Sequence, residues 1–227
     1  MKKILEKYGY TPSLENIDKV LTSVQNNLDN WVTPANLASC LGYMDLTTLN
    51  SVDTYTKVAN FTKKVNDVKA HYPNYPTPAS ICVYPNLGKA IKENLTAEGV
   101  NITVVAGVFP NSQSFLEVKL LECKMAIEQG ANEIDIVLAL NAFMEGDFQR
   151  AAHEISEIKK VVGDKHLKVI LETGALSSPD KIAAASFLAM EAGADFIKTS
   201  TGKLEPETEE KLKKALNELV AEFVVQI

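Results

Sequence analysis

Residues 132–137 read NEIDIV, and their alternation decides the fold. Successive side chains on a strand point to opposite faces, so Ile134 and Ile136 share one face while Glu133, Asp135 and Val137 share the other. LKVILET, residues 167–173, repeats the pattern: Val169 and Leu171 oppose Lys168, Ile170 and Glu172. A parallel sheet sandwiched between helices is apolar on both faces. Charges gathered on one face fit an interior that opens on a site, with the aliphatic face packed on outer helices. That arrangement is a β/α barrel rather than a doubly wound sheet.

Working outward from these two strands, GYMDLTTL, ASICVYP, NITVVAGV and ADFIKTS also read as strands, and every strand but the last precedes a longer helical pattern. Six strand–helix units with right-handed crossovers follow, over residues 39–206. Residues 1–38 form an N-terminal helical extension in which Ser13, with Glu15 and Asn16 behind it, caps a helix start. Residues 207–227 carry Leu212, Ala215, Leu216, Leu219, Val220, Phe223, Val224 and Ile227 at three- and four-residue intervals, with Pro206 suited to a first turn, and read as an amphipathic helix. EFVVQI at the end is alternatively the start of a seventh strand.

The 227 residues, 46% hydrophobic, suffice for one large core. A net charge of −6 with scattered lysines gives no basic face for nucleic acid or an anionic membrane, which leaves a small molecule as the expected partner. Cys40, Cys82 and Cys123 lie far apart with no Cys-x-x-Cys pair, against both a disulfide framework and a zinc site, so no metal is expected. No Gly-x-Gly-x-x-Gly or Gly-Lys-Ser/Thr phosphate loop is present, and no nucleotide cofactor is expected. No signal peptide or apolar run of spanning length is seen, and a cytoplasmic location is expected.

DFIKTSTG, residues 195–202, ends an apolar run on Lys198, at the strand end where barrel enzymes place their chemistry. An arbitrary strand-end lysine snorkels to water or pairs with an acid. A nucleophilic one must be neutral, and at a pKa of about 10.4 only about one lysine in 2,500 is neutral at pH 7. Burial and a neighbouring cation together disfavour the ammonium, and Lys168 on the inward face of the adjacent strand is the candidate neighbour. Its competing role is a salt bridge to Asp135 or Glu172. Asp135 is placed to exchange protons with a bound intermediate, and Glu133, nearer the strand start, reads as structural.

MDLTTLN (44–50), ICVYPN (81–86), GANEIDIVLALN (130–141), LKVILETG (167–174) and GADFIKTSTGK (193–203), in that order over 160 residues, resemble the deoxyribose-phosphate aldolases, class I aldolases on a TIM barrel. The resemblance implies that Lys198 forms a Schiff base with acetaldehyde or deoxyribose 5-phosphate and that Asp135 donates and accepts protons. It further implies that Asp45, Thr47, Leu49 and Cys82 line the substrate pocket and that Thr201 and Gly202 lie close to the Schiff base; an ordinary buried cysteine is the competing reading of Cys82. No metal or organic cofactor is implied, because the iminium is the electron sink.

The family continues through a seventh strand bearing G-x-K-P-A-G-G, with a second catalytic lysine, and an eighth whose loop holds the phosphate. Neither motif occurs here, which points to an incomplete barrel, about six of eight units, in a truncated, split or re-engineered chain. Its open edges then need cover from its own C-terminal helix, another copy in a homo-oligomer, or a complementing fragment. Two functions compete: an aldolase reversibly cleaving 2-deoxy-D-ribose 5-phosphate, and a weakly active or inactive scaffold serving assembly.

Overall fold

The computed structural model describes residues 1–11 and 13–203, so the helix expected over 207–227 lies outside the described residues. Six strands, β1 (Asp45–Thr47), β2 (Ser80–Val83), β3 (Asn101–Val105), β4 (Glu133–Val137), β5 (His166–Ile170) and β6 (Phe196–Lys198), form one parallel sheet in sequence order. In a flat sheet five strand spacings would hold β1 and β6 about 24 Å apart. Here the Lys198 amine on β6 lies 3.1 Å from a carboxylate oxygen of Asp45 on β1. The sheet is therefore curled into a half-barrel with its concave face inward. Among the described residues β1 pairs only with β2 and β6 only with β5.

Four helices precede the sheet: α1 (Lys2–Lys7), α2 (Leu14–Gln25), α3 (Leu28–Trp31) and α4 (Pro34–Leu41). Those between strands are α5 (Tyr55–Asn66), α6 (Val68–His71), α7 (Gly88–Lys92), α8 (Leu116–Glu128), α9 (Leu140–Glu145), α10 (Phe148–Val162), α11 (Thr173–Leu176) and α12 (Pro179–Glu191). Their starts are written locally. Ser13, Thr33, Thr54, Asp147 and Ser178 each accept a backbone N–H three residues on, which satisfies a donor that the first helical turn leaves free. Pro34 and Pro179 occupy first-turn positions where a missing N–H costs nothing. No helix among the described residues is long and apolar enough to cross a membrane.

The alternation read from the sequence is realised in three dimensions. Ile81, Val83, Val104, Ile134, Ile136, Leu167, Val169 and Leu171 face outward into the main core, against Ile91, Ala126, Ile155, Ile158, Ala185 and Leu188 from the helices. On α10 the buried Ala151, Ile155, Ile158 and Val162 form one stripe at helical spacing. The inward face holds a smaller apolar cluster, Leu49, Cys82 and Val105, with Tyr84 and Phe109 against it. From the extension, α1 docks on α12: the Tyr8 ring stacks on Phe187 with centroids 4.2 Å apart, and Lys7 pairs with Glu191.

Candidate active site

The period of two that sends the isoleucines outward sends Glu133 and Asp135 of β4, Lys168 of β5 and Lys198 of β6 inward, and the curl brings Asp45 of β1 over them. Lys198 donates to Oδ2 of Asp135 and, at 3.1 Å, to Oδ2 of Asp45. Lys168 reaches the same Asp45 oxygen at 2.8 Å and Oε2 of Glu133 at 2.6 Å, and lies 3.7 Å from Oδ1 of Asp135. Five charged groups thus form one network with three carboxylates and two ammonium groups.

Their surroundings differ. The side chain of Asp135 is 1% exposed, whereas that of Lys198 is 31% exposed. Oδ1 of Asp135 is buried and accepts no hydrogen bond, an acceptor left free on the inward face. Lys168 is enclosed by its acids and by Thr103, 3.4 Å away. The second Asp45 oxygen accepts from Ser80 at 2.7 Å. Glu133 is held by Asn101 at 2.8 Å and Thr103 at 2.6 Å.

These contacts correct the expected proton affinity of Lys198. Burial, the largest single influence, does push the amine down, but Asp135 and Asp45 together outweigh it and hold Lys198 above the ordinary lysine value. Of the two roles read for Lys168, opposing cation or salt-bridge partner, the contacts fit the second: its own acids neutralise it, and against burial the carboxylates of Asp135, Asp45 and Glu133 raise it too. Its partners are Glu133 and Asp45, with Asp135 at ion-pair distance, while Glu172 binds elsewhere. Burial lifts the Asp135 carboxyl above the usual range despite Lys198 and Lys168. Asp45 goes the other way: burial is outweighed by Lys168, Ser80 and Lys198, and its carboxyl falls below the ordinary value.

The remaining residues singled out in the sequence ring this network. Thr47 is exposed, with its hydroxyl on the Asp45 carbonyl at 2.9 Å. Leu49 and Cys82 belong to the inner apolar cluster. Burial pushes the Cys82 thiol up to about 12, with Asp135 adding to the effect, so it is a protonated wall group and not a nucleophile. Thr201 is fixed through its hydroxyl and its backbone N–H by Glu172. Glu172 adopts a left-handed backbone, φ 53°, unusual for a residue with a side chain, and this turns its carboxylate toward the loop after β6. Gly202 is also left-handed, φ 69°, a conformation that only glycine adopts without penalty. Lys203 closes the rim by donating to the Leu49 carbonyl at 2.6 Å.

Ser80, Thr103 and the grip of Glu172 on Thr201 were missed in the sequence. The first two were findable, because they lie two residues before Cys82 and Val105 and share their inward face. Among the described residues no group of three or more His, Cys, Asp or Glu side chains could hold a metal ion.

A curled parallel sheet with outer helices, carrying two lysines and three carboxylates on its inner face with Lys198 at the C-terminal end of β6, is the architecture of a β/α-barrel protein. The family model for DeoC/LacD family aldolases matches residues 40–227, and the chain belongs to that family. A Caenorhabditis elegans relative is 37% identical over 194 residues, covering 83% of this chain and 63% of its own. The human deoxyribose-phosphate aldolase is 38% identical over 183 residues, covering 74% and 56%. The chain thus spans about three fifths of the length of the curated relatives it matches. The tetrameric deoxyribose phosphate aldolase of Aeropyrum pernix superposes with a TM-score of 0.62 at 29% identity, covering 92% of this chain and 82% of that one.

Proposed function

We propose that this chain acts as a Schiff-base aldolase, reversibly cleaving 2-deoxy-D-ribose 5-phosphate to acetaldehyde and D-glyceraldehyde 3-phosphate. One observation supports this most: a solvent-reachable lysine amine hydrogen-bonded to a carboxylate whose own side chain is 1% exposed. Burial makes Asp135 a stronger proton acceptor than an ordinary aspartate, so the base that frees the amine is already in contact with it.

Asp135 takes one proton from the Lys198 ammonium, the freed amine adds to the C1 carbonyl carbon, and a second proton moves from that nitrogen to the carbonyl oxygen. The carbinolamine hydroxyl then takes the first proton from Asp135 and leaves as water, giving an iminium that keeps the third. The C3 hydroxyl then loses its proton to the Asp135 carboxylate, the C2–C3 bond breaks, and its electrons pass to the iminium. Glyceraldehyde 3-phosphate departs and an enamine remains. Asp135 returns that proton to C2 of the enamine, and addition of water to the resulting iminium releases acetaldehyde and restores the Lys198 ammonium. The iminium keeps a positive charge on the nitrogen that carried the ammonium, so Asp45 and Asp135 stabilise both states, and the raised pKa of the resting amine does not oppose the chemistry. Lys168 holds Asp45 and Glu133 in place beneath the reacting nitrogen. Thr47, Leu49 and Cys82 line the substrate side, and Thr201 with Gly202 forms the rim beside the Schiff base.

One observation favours the scaffold reading: the resting amine is held protonated by two carboxylates. Borohydride reduction in the presence of acetaldehyde separates the two. The expected result is a single ethyl group on Lys198, found by peptide mass spectrometry and absent from Lys198→Met. No adduct, or one spread over other lysines, overturns the aldolase reading and leaves the scaffold.

A further inference from the structure

Glu172 breaks two local rules at once. Its backbone is left-handed, φ 53° and ψ 63°, where a side chain crowds the main chain and glycine carries no penalty. The residue is also buried, 3% exposed, and no cation pairs with its carboxylate among the described residues. A turn that needs nothing beyond a left-handed backbone is better served by glycine, so the reason for the glutamate lies in its side chain. Residues held against local preference mark places where the surrounding structure, or the function, requires them.

Among the described residues that carboxylate has one partner, Thr201. It accepts the Thr201 N–H, at 3.2 Å on Oε2 and 3.4 Å on Oε1, and the Thr201 hydroxyl. The hydroxyl is thereby fixed as a donor to Glu172, and its oxygen accepts the Lys203 N–H at 3.0 Å. Lys203 in turn donates to the Leu49 carbonyl, beyond β1, at 2.6 Å. Main-chain bonds tie the end of β6 to β5 as far as Thr199: the Leu171 N–H reaches the Lys198 carbonyl at 2.9 Å and the Thr173 N–H the Thr199 carbonyl at 2.8 Å. Past that point Glu172 takes over, and one chain of contacts links the loops that follow β5, β6 and β1.

We propose that Glu172 is a positioning residue that holds residues 201–203 as the substrate-facing rim beside Lys198. The proposal rests on the aldolase reading above. In that reading Glu172 acts through Thr201 and takes no part in proton transfer.

Glu172→Gly keeps the backbone and removes the grip. Relief of the left-handed side chain offsets the lost hydrogen bonds, so the melting temperature should stay within about 4 °C of wild type. The Thr201 amide should exchange with deuterium at least about tenfold faster. The KM for 2-deoxy-D-ribose 5-phosphate should rise at least about fivefold with kcat within about twofold, the pattern of binding lost equally from ground and transition states. Glu172→Gln keeps an acceptor for the Thr201 N–H and should fall between the two. Thr201→Ala combined with Glu172→Gly should raise KM by less than the product of the single rises, because the two residues act in one chain. A Glu172→Gly variant with wild-type KM or unaltered exchange at Thr201 overturns the proposal. A melting temperature lowered by more than about 4 °C does so too, by making the carboxylate a structural group. Wild type that takes no ethyl label on Lys198 overturns the aldolase reading and this proposal with it, whereas labelled wild type with an unchanged KM in the variant overturns this proposal alone.

Discussion

Asp45 on β1 accepts a hydrogen bond from Lys198 on β6 at 3.1 Å, 153 residues apart in sequence. The two outermost strands of the sheet thus meet across the interior, and the same Asp45 oxygen takes a second bond from Lys168 at 2.8 Å. One carboxylate therefore helps close the curl and also sets the charge state of the lysine.

Asp45→Asn separates these two roles. Removing one of the two negative charges beside Lys198 leaves burial less opposed, so its amine deprotonates at lower pH. The pH profile of borohydride trapping by acetaldehyde should shift downward relative to wild type. An unchanged profile would mean that Asp135 alone governs the amine.

Both lysines are raised above their ordinary value of 10.5. The sign follows: a raised folded-state pKa contributes stability that is fully present below about 10.5 and is lost as pH rises through the folded values. Urea unfolding free energies should therefore decline above about pH 10.5, by at most about 1.4 kcal/mol per pH unit for each lysine. Lys198 is about one-third exposed, so solvent screening makes its share smaller. Lys198→Met should flatten the decline in proportion, and an identical slope in the variant would contradict the assignment.

Much of this was legible in six short runs of sequence. Short apolar runs located all six strands, and alternation put Glu133, Asp135 and Lys168 on one face, because period two is a local property of an extended chain. The charge state of Lys198 was not legible. The sequence leads to the expectation of a buried amine with Lys168 near it, both of which would lower its pKa, whereas the side chain is 31% exposed. That Asp45 lies over both lysines depends on the curl of the whole sheet, which no local pattern encodes. The partner of Glu172 was hidden for a different reason: strict alternation carries β5 through Glu172 facing inward beside Lys168, whereas its left-handed backbone turns the carboxylate to Thr201.

Lys168→Met tests whether this lysine is structural. Its side chain is 7% exposed, and its loss strands Glu133 and Asp45 without their shared cation. Breaking a buried pair from one side costs about 3–5 kcal/mol, and the hydrogen bonds that Asn101 and Thr103 keep on Glu133 place the expected loss near the low end. Adding Glu133→Gln should recover part of it, because the two residues are directly coupled. A loss below about 1 kcal/mol by urea unfolding would show that water replaces the ammonium.

A second buried pair, outside the site, supports the wall of the pocket. Lys119 on α8 is 1% exposed and donates to Glu154 on α10 at 2.7 Å and to Ser112 at 2.9 Å. Ser112 belongs to the β3–α8 loop, where Val108 and Ser112 both hold positive φ and Glu122 accepts the Val108 N–H at 2.7 Å. That loop carries Phe109, packed against the inner cluster of Leu49, Cys82 and Val105. Lys119→Met leaves Glu154 covered, with Arg150 at 3.4 Å as its remaining cation, and should cost about 3 kcal/mol. Lys119→Met with Glu154→Met removes both charges, and replacing a buried pair by apolar groups is often close to neutral, so the double variant should return to within about 1 kcal/mol of wild type. Because Ser112 loses its anchor in both, limited proteolysis should cut residues 107–115 faster even where global stability is restored. A double variant as unstable as the single one would show that the pair is held for its geometry and not tolerated as a buried charge.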